Sequence, residues 1–491
     1  MCRGLVIVTA GLLISLAAAA EAGPSRARLS SDLARHLDSS STAAVDVIVS
    51  GTPDRIERLA HRHGLVVKKV LGSGAVLTAS RAAFESLTQD EDAGAVSGDS
   101  IVRSHMAMTT SVTGAAAAWA GEVASLGPVN GSGVGVAIID SGIANHPALK
   151  GRVVMNVDFT GSGGTGQDLY GHGTHIAGII AARTFNNAPD GAESGMAPAA
   201  HLINLKVLGA DGSGHASAVI EAIDWAIKHS ETFGIKVLNL SLGAPPTQSY
   251  RDDPICQAVE RAVRAGLVVV ASAGNYGEYK GKPAYGTIST PGISPYAITV
   301  GALRTQGTLD RGDDEMAPWS SKGPTLVDHI VKPDLAAPGS KIVSTAAAGA
   351  ALMEQFPDRL SDGPGARDYF SMSGTSMAAA VVSGAAALIR DGQPNLTPLQ
   401  VKLVLQASSD FMVSAGLLSG GAGSLDLERI NEVSIASLDS RLTAGRAYAY
   451  PAAVRSLLQA NQIIWGDQII WGDQIIWGEQ IIWGEQIIWG E

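Results

Sequence analysis

Cysteine is almost absent from this chain: there are two in 491 residues, and one of them, Cys2, stands at the extreme amino terminus. Basic clusters are missing as well. The 35 lysines and arginines face 46 acidic residues, a formal net charge of −11, and no basic run is long enough to follow a phosphate backbone, which argues against a nucleic-acid partner. The pattern also lacks a transmembrane anchor. The apolar stretch over residues 5 to 16 is too short and too alanine-rich to span a bilayer; it follows Arg3 and runs into Ala20-Glu21-Ala22, a small-x-small cleavage signal. Residues 1 to 22 therefore read as a secretory leader, and the remainder as an exported protein of the cell envelope or exterior. Cys2 lies ahead of the apolar core, the wrong place for a lipidated cysteine. Removing the leader leaves Cys256 as the sole thiol, so no intrachain disulfide can form and stability must come from core size or a bound metal.

Glycine, by contrast, is plentiful. With 58 glycines and 46% hydrophobic residues the chain fits a turn-rich α/β enzyme with a large core and more than one unit. Short apolar runs at 134–139, 202–208, 235–240 and 267–273 alternate with helical patterns at 217–230 and 254–265; in the first of these, Val219, Ile220, Ile223 and Ile227 form one stripe. Such alternation implies an α/β fold, a mostly parallel sheet with helices on both faces and reactive residues at the carboxyl ends of strands.

Three segments carry chemistry. Ser373-Gly374-Thr375-Ser376 places a serine at a tight turn ahead of an apolar helix over residues 378 to 389, where unpaired N–H groups and the helix dipole favour a developing negative charge. A helix N-cap is the plainer reading of Gly374-Thr375-Ser376 taken alone. A strand-like run then ends in Asp140-Ser141-Gly142, and Gly171-His172-Gly173-Thr174-His175 opens a second apolar helix. Acid, imidazole and hydroxyl thus follow in the order Asp140, His172, Ser376.

With these flanking residues the chain resembles the subtilisin-like serine proteases over about residues 113 to 430. The resemblance implies a serine endopeptidase that cleaves protein or peptide substrates through an acyl-enzyme, with Asp140, His172 and Ser376 as its triad. Asn275, after Ala273-Gly274, matches the oxyanion-hole position, and its amide and the Ser376 N–H are the two expected donors. Gly212-Ser213-Gly214 and Ser241-Leu242-Gly243 resemble the two edges between which a substrate strand pairs. Thr287 to Gly292 matches the pocket for the residue before the cut; Ser289 stands where relatives often have glycine, and the lack of charge points to an apolar or medium-sized side chain. His175 reads as structural. The chemistry requires no cofactor. A structural calcium has two candidate sites, Asn186, Asn187, Asp190 and Glu193, or Asp310, Asp313, Asp314 and Glu315, though each also reads as a solvated acidic loop. Ala380 and Val381 depart from the family, which commonly has Pro and His there, and this leaves the placement of the helix start behind Ser376 open.

The flanks carry their own patterns. Residues 23 to 108 show the order β-α-β-β-α-β, a small α+β open sandwich that resembles the family's inhibitory propeptide; the alternative is a standalone binding domain. Its strands are expected at 45–49, 65–71, 75–78 and 94–102 and its helices at 54–63 and 81–87, with cleavage between Arg103 and Val112, where residues 104 to 109 read as extended. The protease spans residues 109 to 431 and a linker residues 432 to 461. Residues 462 to 491 repeat Gln-Ile-Ile-Trp-Gly-Asp/Glu five times. An extended strand through these repeats would place Ile463, Trp465 and Asp467 on one face, and such a tail is expected to bind a surface or to self-associate. A second reading of the whole chain makes the repeats the working part, in an adhesion or assembly protein that carries the protease fold.

Overall fold

Strand β1 (Gly135–Asp140) is buried along its whole length, with Val136 and Ile138 packing into one hydrophobic cluster and Ala137 and Ile139 into another. A strand covered on both faces needs a layer on each side, and that requirement organises the catalytic unit. In this computed structural model the described residues are 27–39, 41–71, 74–98, 105–183, 194–361, 369–433, 464–465 and 468–469. The chain divides into two units, Met1–Val102 and Arg103–Glu491.

The second unit is built on an eight-stranded sheet. After β1 come β2 (Val153–Asp158), β3 (His201–Lys206), β4 (Ile235–Leu240), β5 (Val268–Ser272), β6 (Ile298–Arg304), β7 (Glu315–Met316) and β8 (Leu335–Pro338), in the spatial order β7-β6-β5-β4-β1-β3-β2 with β8 also on β6. Every pairing is parallel except that of β7 with β6. The helices His172–Ala181 and Thr375–Gly392 pack on one face, and Ala216–Lys228 and Pro254–Arg264 on the other. Strand order reverses at β1, which opens a crevice at the carboxyl ends of the central strands. Asp140 ends β1, Ser241 follows β4, and Ala273 to Asn275 follow β5.

The helix behind the candidate nucleophile runs unbroken from Thr375 to Gly392, with Ala380 and Val381 fully buried inside it. Alanine continues this helix, so the missing proline leaves no break. Residues 105 to 112 correct an expectation. They form a helix, His105–Val112, because Met106 is buried and the Thr110 and Thr113 hydroxyls donate back to the carbonyls of Met106 (3.0 Å) and Thr109 (2.7 Å). The Asp310–Asp314 loop differs from a solvated one, since Asp314 is 6% exposed.

The first unit is a five-stranded sheet in the order Arg28–Leu29, Ala95–Gly98, Val45–Ser50, Gly74–Ala79, Val66–Leu71. Helices Pro53–His63 and Arg81–Thr88 bury Ile56, Leu59, Phe84 and Leu87 against Val47, Val49 and Leu77 of one sheet face. The strand Arg28–Leu29 and the helix Ser31–Asp38 precede the expected elements. Among the described residues no helix is long and apolar enough to cross a membrane. The leader, residues 184 to 193 and most of the linker and repeats lie outside the described residues.

Candidate active site

Asp140 and His172 meet because the imidazole-bearing helix starts against the end of β1. A Cβ on Gly173 would lie 2.2 Å from the Gly142 carbonyl oxygen, so only glycine allows this approach. His172 Nδ1 lies 2.8 and 2.9 Å from the two Asp140 carboxylate oxygens. Burial opposes charge on His172, but the Asp140 carboxylate, by its charge and hydrogen bond, and the Asp168 charge outweigh it and hold the imidazole pKa above its ordinary value. That arrangement suits a base that must become a cation during reaction.

Beneath the imidazole lies a residue that the motifs did not single out. Asp168 is 3% exposed and accepts from the Ser141 hydroxyl (2.9 Å), the N–H groups of Tyr170 (3.1 Å), Gly171 (2.7 Å) and Thr174 (2.8 Å), and the Thr174 hydroxyl (2.7 Å). The Ser141 hydroxyl in turn accepts from the Gly173 N–H at 2.9 Å, which ties the end of β1 to the helix carrying His172. The available signal was an acid four residues before the histidine, in a segment otherwise read for its glycines. His175 is fully buried, its Nε2 facing the carbonyls of Ile342 (3.2 Å) and Phe370 (2.9 Å). Burial and the neighbouring His172 push its pKa down to about 3, in keeping with a neutral structural residue.

Ser376 is the second residue of its helix, where an N–H has no intrahelical acceptor. Its hydroxyl donates to the Ser241 carbonyl at 3.0 Å and not to His172, while the Ser241 hydroxyl donates to the Ser376 carbonyl at 2.9 Å. Asn239 and Ser383 extend this network behind the helix. The Ser376 hydroxyl is thus engaged by the Ser241 carbonyl and would have to turn from it before it could give a proton to the imidazole.

Asn275 is fixed by Thr375. Its side-chain oxygen accepts from the Thr375 N–H (3.0 Å) and hydroxyl (3.1 Å), which fixes which end of the amide carries its N–H groups. The Thr375 hydroxyl lies 3.0 Å from the Gly274 N–H, so one side chain clamps two consecutive residues. Beyond them, the Lys322 ammonium donates to the carbonyls of Gly277 (2.8 Å), Pro318 (2.8 Å) and Ser320 (3.2 Å).

The two expected substrate edges lie around this centre. Gly212 is half-buried and Ser213 and Gly214 are exposed; a Cβ on Gly212 would strike the Tyr170 ring. Leu242 and Gly243 continue from Ser241, and Ala244 pairs with Thr290 through two backbone hydrogen bonds, 3.1 and 2.9 Å. Ser289 is 2% exposed, donates its N–H to Ala273 (2.9 Å), and has its hydroxyl 2.1 Å from where a Gly274 Cβ would stand. Behind it, Asp253 accepts from the Thr290 hydroxyl at 2.9 Å, and burial pushes the Cys256 thiol up to about 12, an inert sulfur. Among the described residues no group of three or more His, Cys, Asp or Glu is gathered to hold a metal, and Asn186, Asn187, Asp190 and Glu193 lie outside them.

The model of the subtilase family matches residues 131–436. The chain belongs to the subtilase family. Curated relatives of this subtilase include serine protease AprX of Bacillus subtilis, 38% identical over 306 residues that cover 61% of this chain and 66% of that one. Subtilisin Savinase of Lederbergia lenta is 35% identical over 293 residues, covering 60% and 89%. Among solved structures, the S41 psychrophilic protease superposes with a TM-score of 0.50 at 31% identity, covering 61% of this chain and 92% of that one. This subtilase is a subtilisin-like serine endopeptidase with an α/β fold. Nothing in the comparisons speaks for adhesion as its main role, and the matched residues include neither the first unit nor the repeats.

Proposed function

We propose that this subtilase is an exported endopeptidase that cleaves itself free of an amino-terminal inhibitory segment, residues 23 to 108, and then cuts other polypeptides. The observation that carries the site assignment is the Asp140–His172 pair at 2.8 Å, with Ser376, near the start of its helix, bonded to Ser241 just past the end of β4.

In this reading His172 takes the proton of Ser376 as the serine oxygen adds to a peptide carbonyl carbon. The carbonyl oxygen, now an anion, is met by the Ser376 N–H and the Asn275 amide. Return of the proton to the leaving nitrogen breaks the C–N bond, and water repeats the sequence on the acyl-enzyme to release the acid. Asp140 orients the imidazole and balances its positive charge. Gly212, Ser213 and Gly214 on one side and Ser241, Leu242 and Gly243 on the other hold the substrate main chain, and Ser289 narrows a pocket for an apolar or medium-sized side chain. These roles call for no metal or cofactor; a calcium, where bound, would stabilise the fold.

The test is intact mass and amino-terminal sequencing of the exported protein beside Ser376→Ala. A wild type that begins between residues 104 and 113, with a variant that keeps its first unit and has lost about 10⁴-fold or more of its turnover, is the expected outcome. A variant that still processes itself overturns the assignment.

A further inference from the structure

One face of β4 is apolar at Val237 and polar two residues later, at Asn239. Val237 packs into the large hydrophobic cluster, as do Ala379, Val382 and Ala386 of the helix behind Ser376, yet Asn239 and Ser383 are fully buried in the same layer. They complete a chain of hydrogen bonds that ends on the residue of the nucleophile. The Ser383 hydroxyl donates to the Asn239 side-chain oxygen (2.9 Å), the Asn239 amide donates to the Ser241 hydroxyl oxygen (2.9 Å), and the Ser241 hydroxyl donates to the Ser376 carbonyl (2.9 Å). An amide oxygen carries no proton and an amide nitrogen accepts none, so each bond sets the direction of the next. Because Asn239 supplies the proton that Ser241 accepts, the Ser241 hydroxyl keeps its own for Ser376.

Leucine at 239 and alanine at 383 would fill such a layer with no polar group to satisfy, so packing does not ask for the pair. We propose that Asn239 and Ser383 are positioning residues for Ser376: they fix the direction of the Ser241 hydroxyl and through it hold the first turn of the helix in place while the serine reacts. This rests on Ser376 being the nucleophile, which the Ser376→Ala variant tests separately.

The need arises during turnover. Before reaction Ser376 and Ser241 hold each other twice, since the Ser376 hydroxyl also donates to the Ser241 carbonyl at 3.0 Å. That bond has to be given up when the hydroxyl passes its proton to the imidazole. What then remains is the bond from Ser241 to the Ser376 carbonyl, backed by Asn239 and Ser383. Ser383 lies seven residues after Ser376, two turns on and on the same side of the helix, so the β4 segment grips the helix at two points. With alanine and not proline at 380, no ring fixes the backbone between those points. The attacking oxygen and the N–H expected to receive the oxyanion both belong to Ser376. One slip of this turn therefore misplaces both, and an error of about 1 Å costs ~10²-fold in rate.

The test compares the exported wild type with Ser383→Ala, Asn239→Asp and a control, Ser408→Ala. The control removes an equally buried hydroxyl, bonded to the Leu405 carbonyl at 3.3 Å, from a different helix. Three quantities are measured for each: turnover of a chromogenic peptide, affinity for a peptide boronic acid that bonds to the serine oxygen, and melting temperature. Ser383→Ala should lower kcat about three- to tenfold with KM held within about twofold, and weaken the boronic acid by the same factor as kcat. Asn239→Asp puts an acceptor where the donor stood, so the Ser241 hydroxyl turns to it and leaves the Ser376 carbonyl; kcat should fall about 30-fold or more. Ser408→Ala should lower the melting temperature about as much as Ser383→Ala while kcat and boronic acid affinity stay at the wild-type values. If Ser383→Ala loses no more kcat and boronic acid affinity than the control, the two residues only fill space and the proposal falls. If Asn239→Asp matches the wild type, the direction of the relay is wrong and the proposal falls with it. Should Asn239→Asp fail to fold, Ser383→Ala beside its control decides the matter. A Ser376→Ala variant that still cleaves would instead overturn the site assignment, an outcome none of these comparisons can imitate.

Discussion

Two aspartates of the catalytic unit are buried to nearly the same degree and meet opposite fates. Asp168, 3% exposed, is surrounded by donors from Ser141, Tyr170, Gly171 and Thr174. Asp314, 6% exposed, has no partner for either carboxylate oxygen among the described residues. Burial pushes its pKa up to about 7, with Arg311 opposing and Asp313, Asp310 and Asp410 adding to the rise. Burial alone neither stabilises nor marks a site. What separates the two is whether the surrounding backbone has turned its N–H groups inward, as the loop ahead of His172 has and the loop ahead of β7 has not.

The hardest way to break this comparison is Asp168→Ala. It strands several buried donors at about 1–3 kcal/mol each, so denaturant unfolding should show a loss of about 3 kcal/mol or more, with kcat/KM falling as His172 is released. Thr375→Val tests the same principle at the oxyanion side. With Asn275 unclamped, kcat should fall about tenfold, short of the ~10²–10³-fold loss expected when one donor is removed outright, and KM should hold. Thr375→Ser should restore most of it.

Asp168→Asn separates charge from shape. The Asp168 charge is one of the causes that raise His172 above its ordinary 6.5, so the acid limb of kcat/KM, where the free imidazole is generated, should move to lower pH in the variant. An unmoved limb would leave Asp168 with a purely mechanical role. The smallest effect belongs to Asp314→Asn. The unfolded carboxyl releases its proton near 3.8 and the folded one near 7, so the folded state binds more protons in between and stability falls as pH rises through that window. The variant lacks this slope, and its gain in melting temperature should be larger at pH 8 than at pH 4.

Much of the site was legible because its signals are contiguous. Asp140, His172, Asn275 and Ser376 each sit among small residues that exist to let chains approach, and their strands and helices are long enough for periodicity to show. Strand Ile235–Leu240 lies where its apolar run places it, and the helix over 254 to 265 ends one residue early. Asp168 and Thr375 were harder to read. Both act by accepting from or donating to backbone groups, and backbone groups have no letter in a sequence. The helix His105–Val112 was missed for a related reason: threonines that look unfavourable there are compensated by hydroxyl bonds to the preceding turn. Burial of Asp314 depends on how β7 folds back on β6, a pairing across about a dozen residues that no local pattern announces.

The hydrogen bond from Ser376 to the Ser241 carbonyl bears on how the enzyme distinguishes one visitor from another. That carbonyl belongs to the edge proposed to pair with a substrate main chain, so an arriving peptide N–H would compete for the oxygen that now holds the hydroxyl. A polypeptide would thus help free the nucleophile that is about to cut it. A small electrophile without a backbone, meeting the serine alone, would find it occupied.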